Sequence, residues 1–410
     1  MQRGQWLGFA PLFYMDPQGK DIVTMFVYAD NAATTQIAPQ VLEAMLPYWK
    51  EQYGNPSTLY RLGRESKIAM EKARSQVAQV VGAREEEIFF TGSGTESDNM
   101  ALKGVLYGPA AKGKKGLITT KVEHHAILHT AQALEKEGFQ VTFLDVDSQG
   151  LVDLEQLEQA IGPDTALVSI MAANNEVGTI QPIAEIGALC RRRGVLFHTD
   201  AVQAFGHMPI DVNEMNIDLL SLSAHKINGP KGAGALYIRK GLSLRPVIEG
   251  GGQERNRRSG TENVAGIVGL GAAAQLAYET MEEESARLKK LAQKLTEGVL
   301  RIPETILTGH PTQRLPGACS FAVGAVEGES LVLYLDMEGV CASTGSACST
   351  GSLDPSHVLM AIGLSHETAH GSLRLTLGRF NTEKDVDVIL EKLPQVVDKL
   401  RAMSPVWNRK

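Results

Sequence analysis

Long apolar runs, paired cysteines and an excess of basic charge are all scarce in this chain, and each scarcity removes a class of function. No uninterrupted apolar stretch among the 410 residues approaches the ~20 that a membrane helix requires. Acidic residues outnumber basic ones, 47 to 40, for a net charge of −7, which argues against nucleic acid or an anionic membrane as the main partner. The cysteines, Cys190, Cys319, Cys341 and Cys348, show no CxxC spacing. No disulfide is expected, and a reducing cytoplasm fits better than an oxidising compartment. Residues 1–24 lack both the basic start plus apolar block of a signal peptide and the Arg/Ser bias of a transit peptide, so they read as an N-terminal extension that catalysis does not need. What is present is ordinary for a soluble globular chain of two domains: 43% hydrophobic and 21% charged residues.

Helical periodicity runs from Pro39 to Trp49, breaks in Tyr53-Gly-Asn-Pro-Ser57, and resumes from Glu65. Glu87-Ile-Phe-Phe90 then leads through Thr91-Gly-Ser-Gly-Thr-Glu-Ser-Asp98 into a helix. A strand feeding a glycine-rich turn at a helix start offers free N–H groups and the positive dipole end, a cradle for phosphate in which Gly94 and Thr95 take part. The Walker lysine and the GxGxxG spacing are both missing, which weakens the nucleotide readings; a plain strand-to-helix turn is the alternative. Short apolar runs at Leu117–Thr120, Val141–Leu144, Ala166–Met171, Val195–His198 and Asp218–Leu222 alternate with helical segments, including Ile183–Arg193 with Cys190 on its apolar stripe. That alternation predicts an α/β domain built on a mainly parallel sheet.

In such a sheet, ligands sit at the carboxyl ends of the strands. Polar residues collect there: His124, Asn174-Asn175-Glu176, Asp200 with Gln203, and Ser223-Ala-His225-Lys226. Lys226 at a strand mouth suits a Schiff base to a carbonyl cofactor. Asp200 has a plainer reading as the cap of a short helix Ala201–Phe205, but a buried carboxylate needs a partner, and a protonated ring nitrogen is the one that makes sense of the set. His124, His125 and His129 have no further ligand at metal spacing, so no metal is expected.

Beyond Thr261 a helical pattern from about Gly269 to Leu300 leads into a smaller α+β domain. Strands are expected at Ala318–Val323, Ser330–Leu335 and Ser372–Leu377, then a last helix opened by Thr382 with Asp385 in capping-box spacing. The domains are thus drawn at 25–268 and 269–410. Ala342 to Ser352 holds nothing larger than threonine and cannot anchor itself by burying side chains, so it is expected to move. Cys348 sits inside it, a thiol placed to act as a nucleophile that travels, whereas Cys319 and Cys341 read as packing residues.

The ordered segments DNAAT (30–34), GNPS (54–57), TGSGTESDN (91–99), VEHHA (122–126), NNEVGTIQPI (174–183), HTDAVQAFG (198–206), SAHKINGPKG (223–232), RSGTEN (258–263) and STGSACSTGSLDPSHVL (343–359) resemble those of the pyridoxal-phosphate-dependent cysteine desulfurases of the NifS/IscS group. The resemblance implies the fold-type I transferase architecture, pyridoxal 5'-phosphate as cofactor and L-cysteine as substrate. By similarity Lys226 carries the cofactor as a Schiff base, Asp200 pairs with its ring nitrogen, Gln203 meets the phenolic oxygen, and His124 stacks on the ring. Gly94, Thr95, Ser223 and His225 hold the phosphate, joined in a homodimer by Thr261 of the other subunit. Arg374, with Asn55 and Asn175, takes the substrate carboxylate, and Cys348 receives the sulfur for delivery to an acceptor protein such as an iron–sulfur scaffold. A selenocysteine lyase and an aminotransferase of the same fold are the enzyme alternatives.

Overall fold

The computed structural model describes residues 26–345, 355–404 and 407; the expectations for residues 1–24 and for Cys348 lie outside these. Twelve strands appear in them: β1 Val27–Tyr28, β2 Ile88–Thr91, β3 Gly116–Thr120, β4 Gln140–Leu144, β5 Thr165–Ser169, β6 Leu196–Asp200, β7 Leu219–Ser223, β8 Gly234–Ile238, β9 Thr305–Leu307, β10 Ala318–Val323, β11 Val340–Cys341 and β12 Ser372–Thr376. Seven of them form one sheet in the order β2-β8-β7-β6-β5-β3-β4. Its pairings are parallel except those of β8, which runs antiparallel to both β7 and β2. The fold is α/β, as expected. The sequence reading had no strand at Gly234–Ile238, where Ala, Leu and Tyr form a run too short to be told from a turn by periodicity.

Helices cover both faces of this sheet, whose strands are buried almost throughout except at the edge strand β4. On one face, Phe197 and Tyr237 pack with Val77, Ile267 and Leu270. On the other, Leu117 and Leu236 meet Leu102, Ile127 and Leu134 of the helices Gly94–Leu106 and His125–Lys136. A further core gathers Leu295, Val299, Phe321, Leu373, Ile389, Leu393 and Val397 around the sheet β12-β10-β9, and Val27 of β1 joins it through the parallel pair β1–β11. Each fully buried side chain of this size contributes roughly 1.5–3 kcal/mol relative to exposure. One continuous helix, Val264–Val299, spans two of these cores, opened by the Asn263 side chain accepting from Gly266 N. No helix among the described residues is long and apolar enough to cross a membrane.

Three local expectations need correction. Ser330–Leu335 is not a strand but part of the helix Gly328–Met337: the Glu327 carboxylate accepts from Glu329 N (2.9 Å) and Ser330 N (2.7 Å), and Leu331 and Leu335, four residues apart, carry its buried face. Ala201–Phe205 forms tight turns instead of a helix, with Asp200 Oδ1 accepting from Val202 N at 2.9 Å. The helix expected from Glu65 begins at Arg61. The last helix, Glu383–Met403, does open on Thr382, whose N–H donates to Asp385 Oδ2 at 2.7 Å.

Candidate active site

The parallel strands and β2 end at one edge, and there the chain builds a pocket of about 300 Å³. Gly94, Thr95, His124, Asn175, Asp200, Gln203, Ser223, His225, Lys226 and Arg374 all line it, brought together from five strand ends and from β12. Asn55 and Thr261 do not. Both are exposed, and Asn55 Oδ1 is turned onto Ser57 N at 2.9 Å.

Each lining group is held by its element. Ser93 caps the helix Gly94–Leu106 by accepting from Glu96 N, and the Glu96 carboxylate reaches back to Gly92 N (2.9 Å), so the first turn is set without using every N–H group. A Cβ on Gly94 would stand 2.6 Å from Val202 Cγ2, which is why only glycine lets this turn approach the mouth of β6. His124 caps the helix His125–Lys136, its Nδ1 accepting from Ala126 N at 3.1 Å. Burial, the Lys226 charge and neighbouring histidines push the His124 imidazole down to about 4, so it is neutral at pH 7. His125 and His129 stack on each other at 4.7 Å, and among the described residues no group of three His, Cys, Asp or Glu is arranged to hold a metal ion.

The segment Asp30–Thr34 crosses the pocket from the far side. Lys226 Nζ donates to Ala33 O (2.9 Å) and Ala32 O, Gln203 Nε2 donates to Ala32 O (2.8 Å), and His225 Nδ1 lies 3.2 Å from Thr34 Oγ1. Arg374, buried in β12, donates from Nη1 to Asn175 O and from Nη2 to Asp30 Oδ1, both at 2.9 Å, while its Nε has no partner. Part of the guanidinium fork is therefore engaged within the protein.

Beneath the pocket Asp200 belongs to a buried acidic set whose other members, Asp98 and Glu123, sequence reasoning missed. Asp200 is 6% exposed, and Asp98, 1% exposed, lines the same pocket from the helix Gly94–Leu106. Asp98 Oδ1 has no hydrogen-bond partner and stands 3.8 Å from His198 Nε2, whose imidazole burial pushes down to about 3. Burial and the neighbouring Asp200 push Asp98 well above the usual carboxylate range, and burial raises Asp200 too. Glu123, wholly buried, accepts from Thr120 Oγ1 (2.8 Å) and Met171 N (3.1 Å), and burial pushes it up to about 8. The only hint of these roles in the sequence is that Glu123 and Asp98 sit inside the glycine-turn and histidine segments. Glu176 was legible only as part of a motif; its carboxylate accepts from Ser356 Oγ and faces Gly345, two residues that flank the segment carrying Cys348.

These features fit a phosphorylated aldehyde with a basic ring. Ser223 Oγ is buried without a partner beside the free first turn of a helix, and a buried carboxylate faces the same space as a lysine amine. The aminotransferase class-V family model matches residues 27–389, and the chain belongs to that family. Within it, the chain is 57% identical to the cysteine desulfurase IscS of Methanosarcina thermophila, over 93% of this chain and 94% of that protein. A solved NifS-like protein superposes with a TM-score of 0.86 at 42% identity, covering 92% of this chain and all of the other. A structure of SspA in complex with cysteine aligns with a TM-score of 0.77 at 38% identity, over 87% of this chain and 100% of that one.

Proposed function

We propose that this protein is a pyridoxal 5'-phosphate-dependent cysteine desulfurase, which converts L-cysteine to L-alanine and leaves the sulfur as a persulfide on Cys348. The observation that carries the reading is Asp200: a carboxylate buried at a strand mouth, making no ion pair among the described residues, in one pocket with Lys226 and an unpartnered Ser223 hydroxyl. When bound, the cofactor supplies an electron sink for the Cα–H bonding pair of cysteine.

The chain's own residues supply the rest. Gly94, Thr95, Ser223 and His225 hold the phosphate, and Asp200 keeps the ring nitrogen positive because ionising that carboxylate without a cation is costly in so dry a site. Gln203 contacts the phenolic oxygen, and Thr261 completes the phosphate site across a homodimer. Lys226, its ammonium held on the Ala32 and Ala33 carbonyls, would hold the cofactor aldehyde and is the amine placed to take and return the substrate proton. Neutral His124 is a second group able to accept a proton. Arg374 and Asn175 bind the substrate carboxylate. The Cys348 thiolate attacks the substrate sulfur: the new S–S bond forms as the C–S bond breaks, and the methyl carbon of alanine gains the proton that balances the step. The persulfide then passes to an acceptor protein in the cytoplasm, for iron–sulfur cluster assembly or a related thiolation.

Lys226→Ala tests this directly. The variant is expected to give no measurable alanine from cysteine and to lose the visible absorption and borohydride-reducible bond of the lysine-bound cofactor. Turnover or a reducible bond surviving in Lys226→Ala would show that another amine does the work.

A further inference from the structure

The run Arg255-Asn-Arg-Arg258 is short enough to be no more than a solvated basic patch, yet every arginine in it is engaged. Arg255 Nη1 donates to Glu86 O (2.7 Å) and Arg257 Nη2 to Leu242 O (2.8 Å), while Arg258 places Nε 2.7 Å and Nη2 3.2 Å from the two oxygens of Glu96. An unusual backbone brings it there. Glu254, Arg255 and Asn256 have φ of 44°, 57° and 62°, three successive residues with side chains in the left-handed region. Strain of this kind persists where surrounding contacts over-determine it, and Glu254 is held by both arms of Arg74 and by Phe90 N.

The target of Arg258 is what gives the arrangement meaning. Glu96 is the third residue of the helix Gly94–Leu106, and its carboxylate folds back to Gly92 N at the end of the helix that faces the pocket. A carboxylate there steadies the helix, but it also sets a negative charge beside the place where a phosphate dianion would bind. Arg258 and Glu96 do not themselves line the pocket.

We propose that Arg258 is a positioning residue for the cofactor phosphate: by neutralising Glu96 it leaves the positive end of the helix Gly94–Leu106 to the phosphate. The proposal rests on the reading of this pocket as a pyridoxal-phosphate site. The same ion pair fixes the segment carrying Thr261, which is directed to the partner subunit's phosphate site, onto this subunit's own cradle.

The full chain, stripped of cofactor and titrated calorimetrically with pyridoxal 5'-phosphate and with pyridoxal, decides the matter. Arg258→Met is expected to weaken pyridoxal 5'-phosphate roughly fivefold to tenfold while pyridoxal stays within about twofold, as suits a charge effect at a helix end. Adding Glu96→Gln to Arg258→Met should restore the phosphate affinity, and salt should narrow the gap between Arg258→Met and wild type. Wild-type affinity in Arg258→Met overturns the proposal. So does equal weakening of both ligands, or no recovery in the double variant, since either means that Arg258 only props the loop. A wild-type chain that binds neither ligand sinks the cofactor reading itself, and the inference with it.

Discussion

Two buried clusters of ionisable side chains in this protein are built in opposite ways. Arg74 and Glu254 are 3% and 6% exposed and complete: both guanidinium arms meet the carboxylate at 2.8 and 2.9 Å, Phe90 N–H donates to the same carboxylate, and Arg74 lies over the Phe90 ring. Asp98, Asp200 and Glu123 are as deeply buried, yet among the described residues no arginine or lysine pairs with them at ion-pair distance, and only the more distant Lys226 charge acts on Asp200. The first cluster satisfies itself and serves the fold. The second is left short of positive charge at the edge where a ligand enters, and its deficit is what a cationic ring nitrogen would make good. A protein that keeps unpaired buried carboxylates gives up stability in the unliganded state for affinity toward the group that pairs with them.

Substitutions that exchange the two behaviours test the contrast. Asp200→Asn has the largest expected effect: alanine formation should fall by roughly 10²-fold or more, in line with the cost of removing one partner of a buried charge pair. The unliganded variant should meanwhile melt no lower than wild type. If it unfolds readily, Asp200 is a structural carboxylate and the contrast fails. Glu254→Gln should do the reverse, lowering the unfolding free energy by about 3–5 kcal/mol in a denaturant titration, because Arg74 is left buried without its counter-charge. A variant as stable as wild type would mean that water or another acceptor takes over.

The smallest effect concerns pH. Glu123 is pushed up to about 8 in the folded chain from an ordinary value of 4.5, so the folded state binds more protons than the unfolded state between those two values. Stability must then fall as pH rises through that window, and the penalty is complete only above about pH 8. Glu123→Gln removes it. The variant and wild type are expected to melt alike near pH 4.5, with the variant increasingly the more stable as pH rises towards 8. A gap that is constant with pH would show that Glu123 does not change its charge on folding.

Periodicity and turn residues in the chain were enough for the α/β class, for the helices at Pro39, Ile183 and Thr382, and for the strand ends where polar residues collect, because these features rest on local rules of burial and capping. Nine of the lining residues of the pocket were nameable in advance for the same reason, each ending or following an apolar strand or opening a helix, whereas Arg374, inside β12, was named only through the family resemblance. Ser330–Leu335 was misread because a run of six residues without a polar break fits either period, and only the Glu327 cap and the pocket for Leu331 and Leu335 settle it. The pairing of Arg74 with Glu254 across 180 positions, the Asp98–Asp200 neighbourhood, the engagement of Arg374 by Asp30, and the reach of Arg258 to Glu96 have no trace in any local pattern. Which charges end up paired, and which are left bare for a ligand, depends on distances between segments far apart in the chain, and only the packed tertiary structure decides those.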